Sequence, residues 1–324
     1  MTQLALLDEH PAHRHLRMLG ANLVFSLADD QTVRLGLARQ MARPRVDQLR
    51  SGIEFGVDSA TGKPGASGGN PKADPWIANA FDVSYEKYFG TKAYVSAAYF
   101  YKDLKSYVYT QTQDGYDLSN FTKSYVPPNT CSTPAGPNQP CPAALSKGTF
   151  TAPFNGKGGS LSGVELAASL PLSLVSDVLK GFGIQASASF TRSGIKVRDP
   201  ESASSVGGGD ITLPGLSKQV YNLTAYYEAD GFEARISQRR RSDFIGEIGN
   251  FNGARTLRYV VGENITDLQL GYNFNEGSLK GLSLLFQVNN LTNAAYQTYA
   301  GTKDRPLEYT KWGRTYLLGA NYKF

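Results

Sequence analysis

Read as a strand, the last fourteen residues of the chain, 311–324, sort onto two faces. Tyr316, Leu318, Ala320, Tyr322 and Phe324 fall on one, and Thr315, Leu317, Gly319, Asn321 and Lys323 on the other. Successive side chains of a strand point to opposite sides, which is what separates the two sets. The first face is apolar and aromatic; the second is mostly small or polar. The sequence then stops on Phe324 with no tail after it. In water, an aromatic-rich edge strand is a template for aggregation. The ending therefore restricts the chain to a setting in which its apolar face meets something other than water.

The same alternation recurs upstream, and eleven segments read as strands. They lie at about 17–28, 32–41, 77–89, 93–110, 158–171, 181–193, 217–229, 231–244, 256–274, 281–290 and the terminal stretch. Val33, Leu35 and Leu37 oppose Thr32, Arg34 and Gln40; Phe182, Ile184 and Ala186 oppose Gln185, Ser187 and Ser189. Asp230-Gly231 is a two-residue hairpin signal, since that pair accepts the positive φ angles of a tight turn. The connections alternate in length. Short ones fall near 29–31, 90–92, 172–180, 230–231 and 275–280, and long ones at 42–76, 111–157, 194–216, 245–255 and 291–310. That segregation predicts short turns on one rim and long loops on the other, as in a transmembrane β-barrel.

Composition agrees. Gly 34, Tyr 19 and Phe 16 beside Cys 2 and Met 3 describe a turn-rich β protein. A mean hydropathy of −0.32 and the lack of an 18-residue apolar run exclude a spanning helix. A spanning strand needs only about ten alternating residues, so low hydropathy is compatible with a barrel. The net charge of +5 has two readings: a solvated surface, or attraction to anionic ligands and lipid phosphate. Residues 1–16 read as an irregular lead-in, with no signal-peptide pattern up to Leu23. His10, His13 and His15 in that segment are conceivable metal ligands without a supporting thiol. No metal, cofactor or nucleic-acid partner is expected, and no constellation of residues suggests an enzyme.

The strand count is odd. The terminal strand and the first strand run the same way, so an eleven-stranded antiparallel sheet cannot close on itself. The fold class expected is all-β: an antiparallel membrane β-barrel in part, spanning 1–324. Two rivals remain in view. A passive pore predicts an even strand count, and a soluble β-rich binding module predicts no apolar band such as Leu282, Leu284, Phe286 and Val288.

Several stretches then resemble one family. Arg34-Leu-Gly-Leu-Ala-Arg-Gln-Met-Ala-Arg-Pro44 is similar to the strand-to-loop segment of TonB-dependent outer-membrane receptors, as is Asn70-Pro71 followed by the strand through Tyr85-Glu86-Lys87-Tyr88-Phe89. Phe100-Tyr-Lys-Asp-Leu104 looks like the next strand. Val288-Asn-Asn-Leu-Thr-Asn293, Gly313-Arg-Thr-Tyr-Leu-Leu-Gly319 and the final Phe324 form the most specific signature. The resemblance implies about eleven strands of a 22-stranded barrel in the outer membrane of a Gram-negative bacterium. It implies uptake of a scarce ligand, such as a ferric siderophore, cobalamin or an oligosaccharide. It further implies partners: outer-membrane lipid, an amino-terminal barrel half and plug, TonB acting through that plug, and the outer-membrane assembly machinery reading Tyr322 and Phe324. No plug, TonB box or signal peptide is recognised in the sequence, so a transport-incompetent fragment is expected.

Three groups of residues stand out. Cys131 and Cys141 lie in a Pro-rich polar loop whose spacing suits a disulfide of about 2–3 kcal/mol; two unpaired thiols are the other reading. Arg239 and Arg241 fall on the lumenal face with Glu233, Arg235 and Ser237, whereas Arg240 falls outward. The run is read either as a lumenal anion contact for ligand with an outward grip of Arg240 on lipid phosphate, or as wall charge paired with carboxylates on neighbouring strands. Tyr99, Tyr101, Tyr107, Tyr109, Tyr226, Tyr227 and Tyr272 are read as interfacial girdles, with a sugar-stacking surface as the alternative.

Overall fold

The computed structural model describes residues 19–57, 63–90, 93–122, 147–156, 158–195, 211–251 and 254–323. The lead-in 1–16, Cys131, Cys141 and Phe324 lie outside the described residues. In chain order the strands are β1 (Gly20–Ala28), β2 (Gln31–Ala42), β3 (Ile53–Val57), β4 (Pro64–Gly68), β5 (Trp76–Phe89) and β6 (Ala93–Asp117). They continue as β7 (Lys147–Gly156), β8 (Gly159–Pro171), β9 (Phe182–Ile195), β10 (Gln219–Ala229), β11 (Phe232–Arg241) and β12 (Phe244–Phe251). The last six are β13 (Ala254–Val260), β14 (Asn264–Asn273), β15 (Leu282–Asn289), β16 (Tyr296–Ala300), β17 (Pro306–Thr310) and β18 (Thr315–Tyr322).

The main sheet runs β1-β2-β5-β6-β8-β9-β10-β11-β14-β15-β18, an eleven-strand path in which each neighbour is antiparallel. These are the eleven segments expected from alternation. Asp230 and Gly231 take φ of 51° and 83°, the left-handed pair that joins β10 to β11 in a tight hairpin. The short turns all fall on one rim and the long connections on the other. β1 starts opposite Ala38 and β18 starts opposite Asn289, both near the long-connection rim. The first and last strands therefore run the same way, each with one neighbour among the described residues, and the sheet stays open.

Register separates the two faces. Row by row, Ser187, Asn222 and Arg239 lie opposite one another, as do Gln185, Thr224, Ser237 and Asp267. This inner face is polar and laced with hydrogen bonds, such as Asn222 to Ser187 at 3.1 Å and the Thr224–Ser237 hydroxyl pair at 2.9 Å. Its ion pairs, Arg34–Glu86 at 3.4 Å and Arg235–Glu228 at 3.7 Å, are solvated and worth about 0–1 kcal/mol each. The other face carries Leu37, Phe81, Val164, Phe190, Leu223 and Ile236, all exposed. Side chains this apolar stand exposed over a whole sheet only where the surrounding medium is itself apolar.

The aromatic girdle is narrower than expected. Phe182, Tyr227 and Phe232 run along the outward face at the short-turn rim, with ring centroids 4.5 Å and 6.3 Å apart, and Tyr272 contacts Phe274 edge-on at 4.7 Å. Tyr99 and Tyr101 also face outward. Tyr226 faces inward instead: its ring covers Gly183, where a Cβ would fall into the ring. Tyr107 and Tyr109 are buried with Ala78, Leu104 and Ile195 beneath the long connections. Both lie beyond a bulge in the β5–β6 pairing, which ends the simple alternation.

The described parts of the long connections carry strands that their polar composition does not suggest. Residues 42–76 contain the β3–β4 hairpin, and β4 pairs in parallel with β7, which is antiparallel to the part of β6 from Tyr107 to Asp117. The stretch 256–274 is not one strand. It breaks after Val260, so that β13 pairs with β12 and β16 while β14 returns to the main sheet. Gly262 marks the break, lying against the Arg241 carbonyl where a Cβ would collide.

Because the two faces differ in medium, neighbouring substitutions should have opposite tolerance. Leu268→Arg, outward on β14, is expected to cost about 2–4 kcal/mol or abolish insertion, and Gln269→Arg, inward, little. The folded fraction on heat-modifiable gels measures both, and equal loss for the two would contradict the assignment of faces.

Candidate functional site

The long-connection rim carries a second sheet, β12-β13-β16-β17, built from two separate connections, 242–263 and 290–314. The β13–β16 ladder joins them, and the Asp243 side chain ties them together a second time. Its carboxylate accepts from the Gly262 N–H at 2.8 Å, from the Tyr299 hydroxyl at 3.1 Å and from Lys303 at 2.9 Å. Gly262 sits at the break before β14, while Tyr299 and Lys303 belong to the other connection. Tyr299 also stacks on Tyr259 at 5.0 Å and 9°, and Arg258 pairs with Glu308 at 2.8 Å. The rim is thus cross-braced between its two connections.

Burial alone works against the charge of Asp243, but the donors Lys303, Gly262 and Tyr299 outweigh it and hold the carboxyl below its usual value. Burial, reinforced by Asp243, pushes the Tyr299 hydroxyl up to about 12. Tyr299 is therefore a neutral donor, and Asp243 a charged acceptor, throughout the ordinary pH range.

The two arginines expected on the lumenal face differ in situation, and Arg241 departs from that expectation by joining the outward-facing Tyr221, Arg240 and Asn264 around one cleft. Arg239 lies near the long-connection end of the wall between Asn222 and Ile265 and is exposed to the lumen without a carboxylate partner among the described residues. Arg241, the last residue of β11, pairs with Glu263 at 2.8 Å and lies over the Phe244 ring at 4.4 Å. Its main chain is tied to Glu263 as well, at 2.9 Å. Tyr322 lies on β18 opposite Leu282, on the outward face at the short-turn rim. Among the described residues no cluster of His, Cys, Asp or Glu is arranged to hold a metal. The Asp243 brace has no signature in the sequence, because its members are 56 and 60 positions from the carboxylate they share.

A profile of the TonB dependent receptor-like β-barrel family matches residues 19–291. No curated protein sequence matches the chain. Among solved structures, the ferric enterobactin receptor PfeA of Pseudomonas aeruginosa, in complex with BCV-L6, is similar with a TM-score of 0.62 at 14% identity, over 95% of this chain and 40% of that one. The siderophore receptor PirA of Acinetobacter baumannii gives 0.61 at 14%, over 95% and 41%. The copper transporter OprC gives 0.55 at 14%, over 94% and 39%. At these identities the likeness is one of fold, and the chain spans about 40% of the length of the receptors it matches.

The brace predicts a pH window for the rim. Asp243 has a depressed pKa, so its contribution is complete above the ordinary carboxyl value of 3.8 and fades as pH falls through the folded value. Tyr299 has a raised pKa, so its contribution is complete below 10.0 and fades as pH rises through about 12. Amide exchange in β16 and β17 should therefore accelerate, relative to the main sheet, at both extremes. Asp243→Asn should accelerate it already at neutral pH, and unchanged protection in that variant would refute the brace.

Proposed function

We propose, since this chain belongs to the TonB-dependent receptor family and is outer-membrane β-barrel wall of a Gram-negative bacterium, that it forms part of an uptake receptor for a scarce ligand. A ferric siderophore is favoured over cobalamin or an oligosaccharide, because PfeA is a ferric enterobactin receptor and PirA a siderophore receptor. Members of this family are receptors and transporters, not enzymes. The observation that carries the reading is the braced sheet standing at the long-connection rim above a polar inner wall. Such a rim presents a shaped outer surface, and the wall below it offers hydrogen-bonding groups along a route inward. Arg239 is the lumenal cation we assign to an anionic ligand. Arg241 is engaged by Glu263, which makes it a brace for the rim more than a free contact.

The open sheet implies a partner of stated form. β1 and β18 run the same way, so an antiparallel barrel closes only with a segment holding an odd number of strands whose outermost two run oppositely to them. A second copy of this chain does not meet that condition. We infer that the rest of the barrel, with a plug that contacts TonB, belongs to the same receptor and that this chain alone does not transport. Tyr322 and Phe324 would present the terminal strand to the outer-membrane assembly machinery.

Two experiments test this. In cells carrying the whole receptor, uptake of radio-iron-labelled ferric enterobactin should require TonB and the segment that completes the barrel, and Arg239→Ala should weaken ligand binding without altering that dependence. Uptake indifferent to TonB, together with steady ion conductance by this chain alone in planar bilayers, would replace the receptor with a passive pore. Phe324→Ala in the whole receptor should reduce the heat-modifiable, inserted fraction; an undiminished fraction would remove the assembly role.

A further inference from the structure

Where the apolar band meets the long-connection rim lies a half-open cleft of about 900 Å3. Gln219, Tyr221, Arg240 and Asn264 line it from the main sheet. Tyr221 lies opposite Arg240 and Arg240 opposite Asn264, and all four belong to the outward face. The exception in the sheet is Arg241, the final residue of β11, held by Glu263 and Phe244. Phe244, Tyr259 and Lys303 line it from the rim sheet, and Lys218 from the start of β10. The cleft is therefore on the lipid side of the wall, not on the route that a transported ligand follows.

Its charges do not balance. Lys218, Arg240, Arg241 and Lys303 face two carboxylates, Asp243 and Glu263. Arg241 takes Glu263 and Lys303 takes Asp243, which leaves Lys218 and Arg240 without an acidic partner among the described residues. The Nε of Arg241 is also enclosed without an acceptor among them, an unfavourable state for a charged donor. Just below, Tyr221 contacts Phe190 edge-on at 5.6 Å, and Leu223 and Ile236 continue the apolar surface. A molecule fitting this place has an anionic, oxygen-rich head and hydrocarbon chains beneath it.

We propose that this cleft is a headgroup site for a phosphorylated lipid of the outer leaflet. Arg240 and Lys218 bind the phosphate oxygens, for which a guanidinium offers paired donors, and Tyr221 sits at headgroup depth as interfacial tyrosines do. The acyl chains lie along the Tyr221–Leu223 face of β10. The site depends on the outward face meeting lipid, and it is independent of which ligand the lumen admits.

The test uses the whole receptor in detergent, titrated in native mass spectrometry with phosphatidic acid, with diacylglycerol or with inorganic phosphate. Phosphatidic acid should bind, and the double variant Arg240→Gln/Lys218→Gln should bind it about tenfold or more weakly. Arg239→Gln, one residue away on the opposite face, should bind it like the parent. Heat-modifiable migration identifies which variants are folded, and Arg240→Lys, which keeps the charge, should retain part of the binding in a folded protein. Equal binding of diacylglycerol would reduce the site to an apolar groove, and binding of inorganic phosphate as tight as that of phosphatidic acid would make it a soluble-anion site. Either result, or a folded double variant that binds like the parent, overturns the proposal.

Discussion

In hydrocarbon a backbone N–H or C=O has no water to turn to, so every one of them must find its partner within the protein. The antiparallel ladder from β2 to β15 meets that demand pairwise, strand against strand. The rest of the molecule follows from it. Once the backbone is satisfied laterally, side chains have only two places to go, and the pleat assigns them by parity. Polar residues such as Asn222, Thr224 and Asp267 collect on one side, and Leu223, Ile236 and Leu268 on the other. The same demand is unmet along the outer edges of β1 and β18, where every residue is exposed. Those edges set the form of what completes the wall.

Above the membrane the constraint relaxes, and the chain uses a different device. Water satisfies loop backbone, so the long connections need a reason to hold shape. Asp243 supplies one by gathering a main-chain N–H, a phenol and an ammonium from two connections onto one carboxylate. A buried carboxylate is unfavourable unless several donors converge on it, so removing any single donor weakens the hold of the remaining ones. The rim is stiffened by short ladders and a few polar contacts, the wall by one continuous run of longer ladders.

How much of this was legible in the sequence follows the same division. Wall strands obey period two, and the alternation of Val33, Leu35 and Leu37 or of Phe182, Ile184 and Ala186 locates them without any knowledge of neighbours. The Asp230-Gly231 turn is legible because two positive φ angles demand those residues. The rim strands were not. β3, β4, β7, β12, β16 and β17 sit in stretches that read as loops, and β13 reads as the start of a longer wall strand; their pairing is fixed by contacts distant in sequence, such as β4 with β7. Tyr107 and Tyr109 defeat the girdle reading for a similar reason, since a bulge upstream places them in a core that only the folded connections create. Arg241 fits neither side of the parity rule, because at the end of a strand a carboxylate on the next connection outweighs the pleat.

Parity also explains how one short run of arginines faces two media. Arg239 belongs to the row of Ser187 and Asn222, and Arg240 to the row of Tyr221 and Asn264. One turns toward a lumen and the other toward lipid headgroups, though they are adjacent in sequence. What decides which is which is the register of β11 against β10, counted from the two-residue turn at Asp230-Gly231. A side-chain period of two makes any one-residue slip exchange the faces completely. Such a slip would carry Ile236 and Phe232 into the polar interior and Glu233 and Arg235 into hydrocarbon, at a cost of several kcal/mol for the arginine alone. The turn therefore needs little intrinsic stability of its own. The two media on either side of the wall enforce the register that the turn selects, and through it the separate chemistry of each arginine.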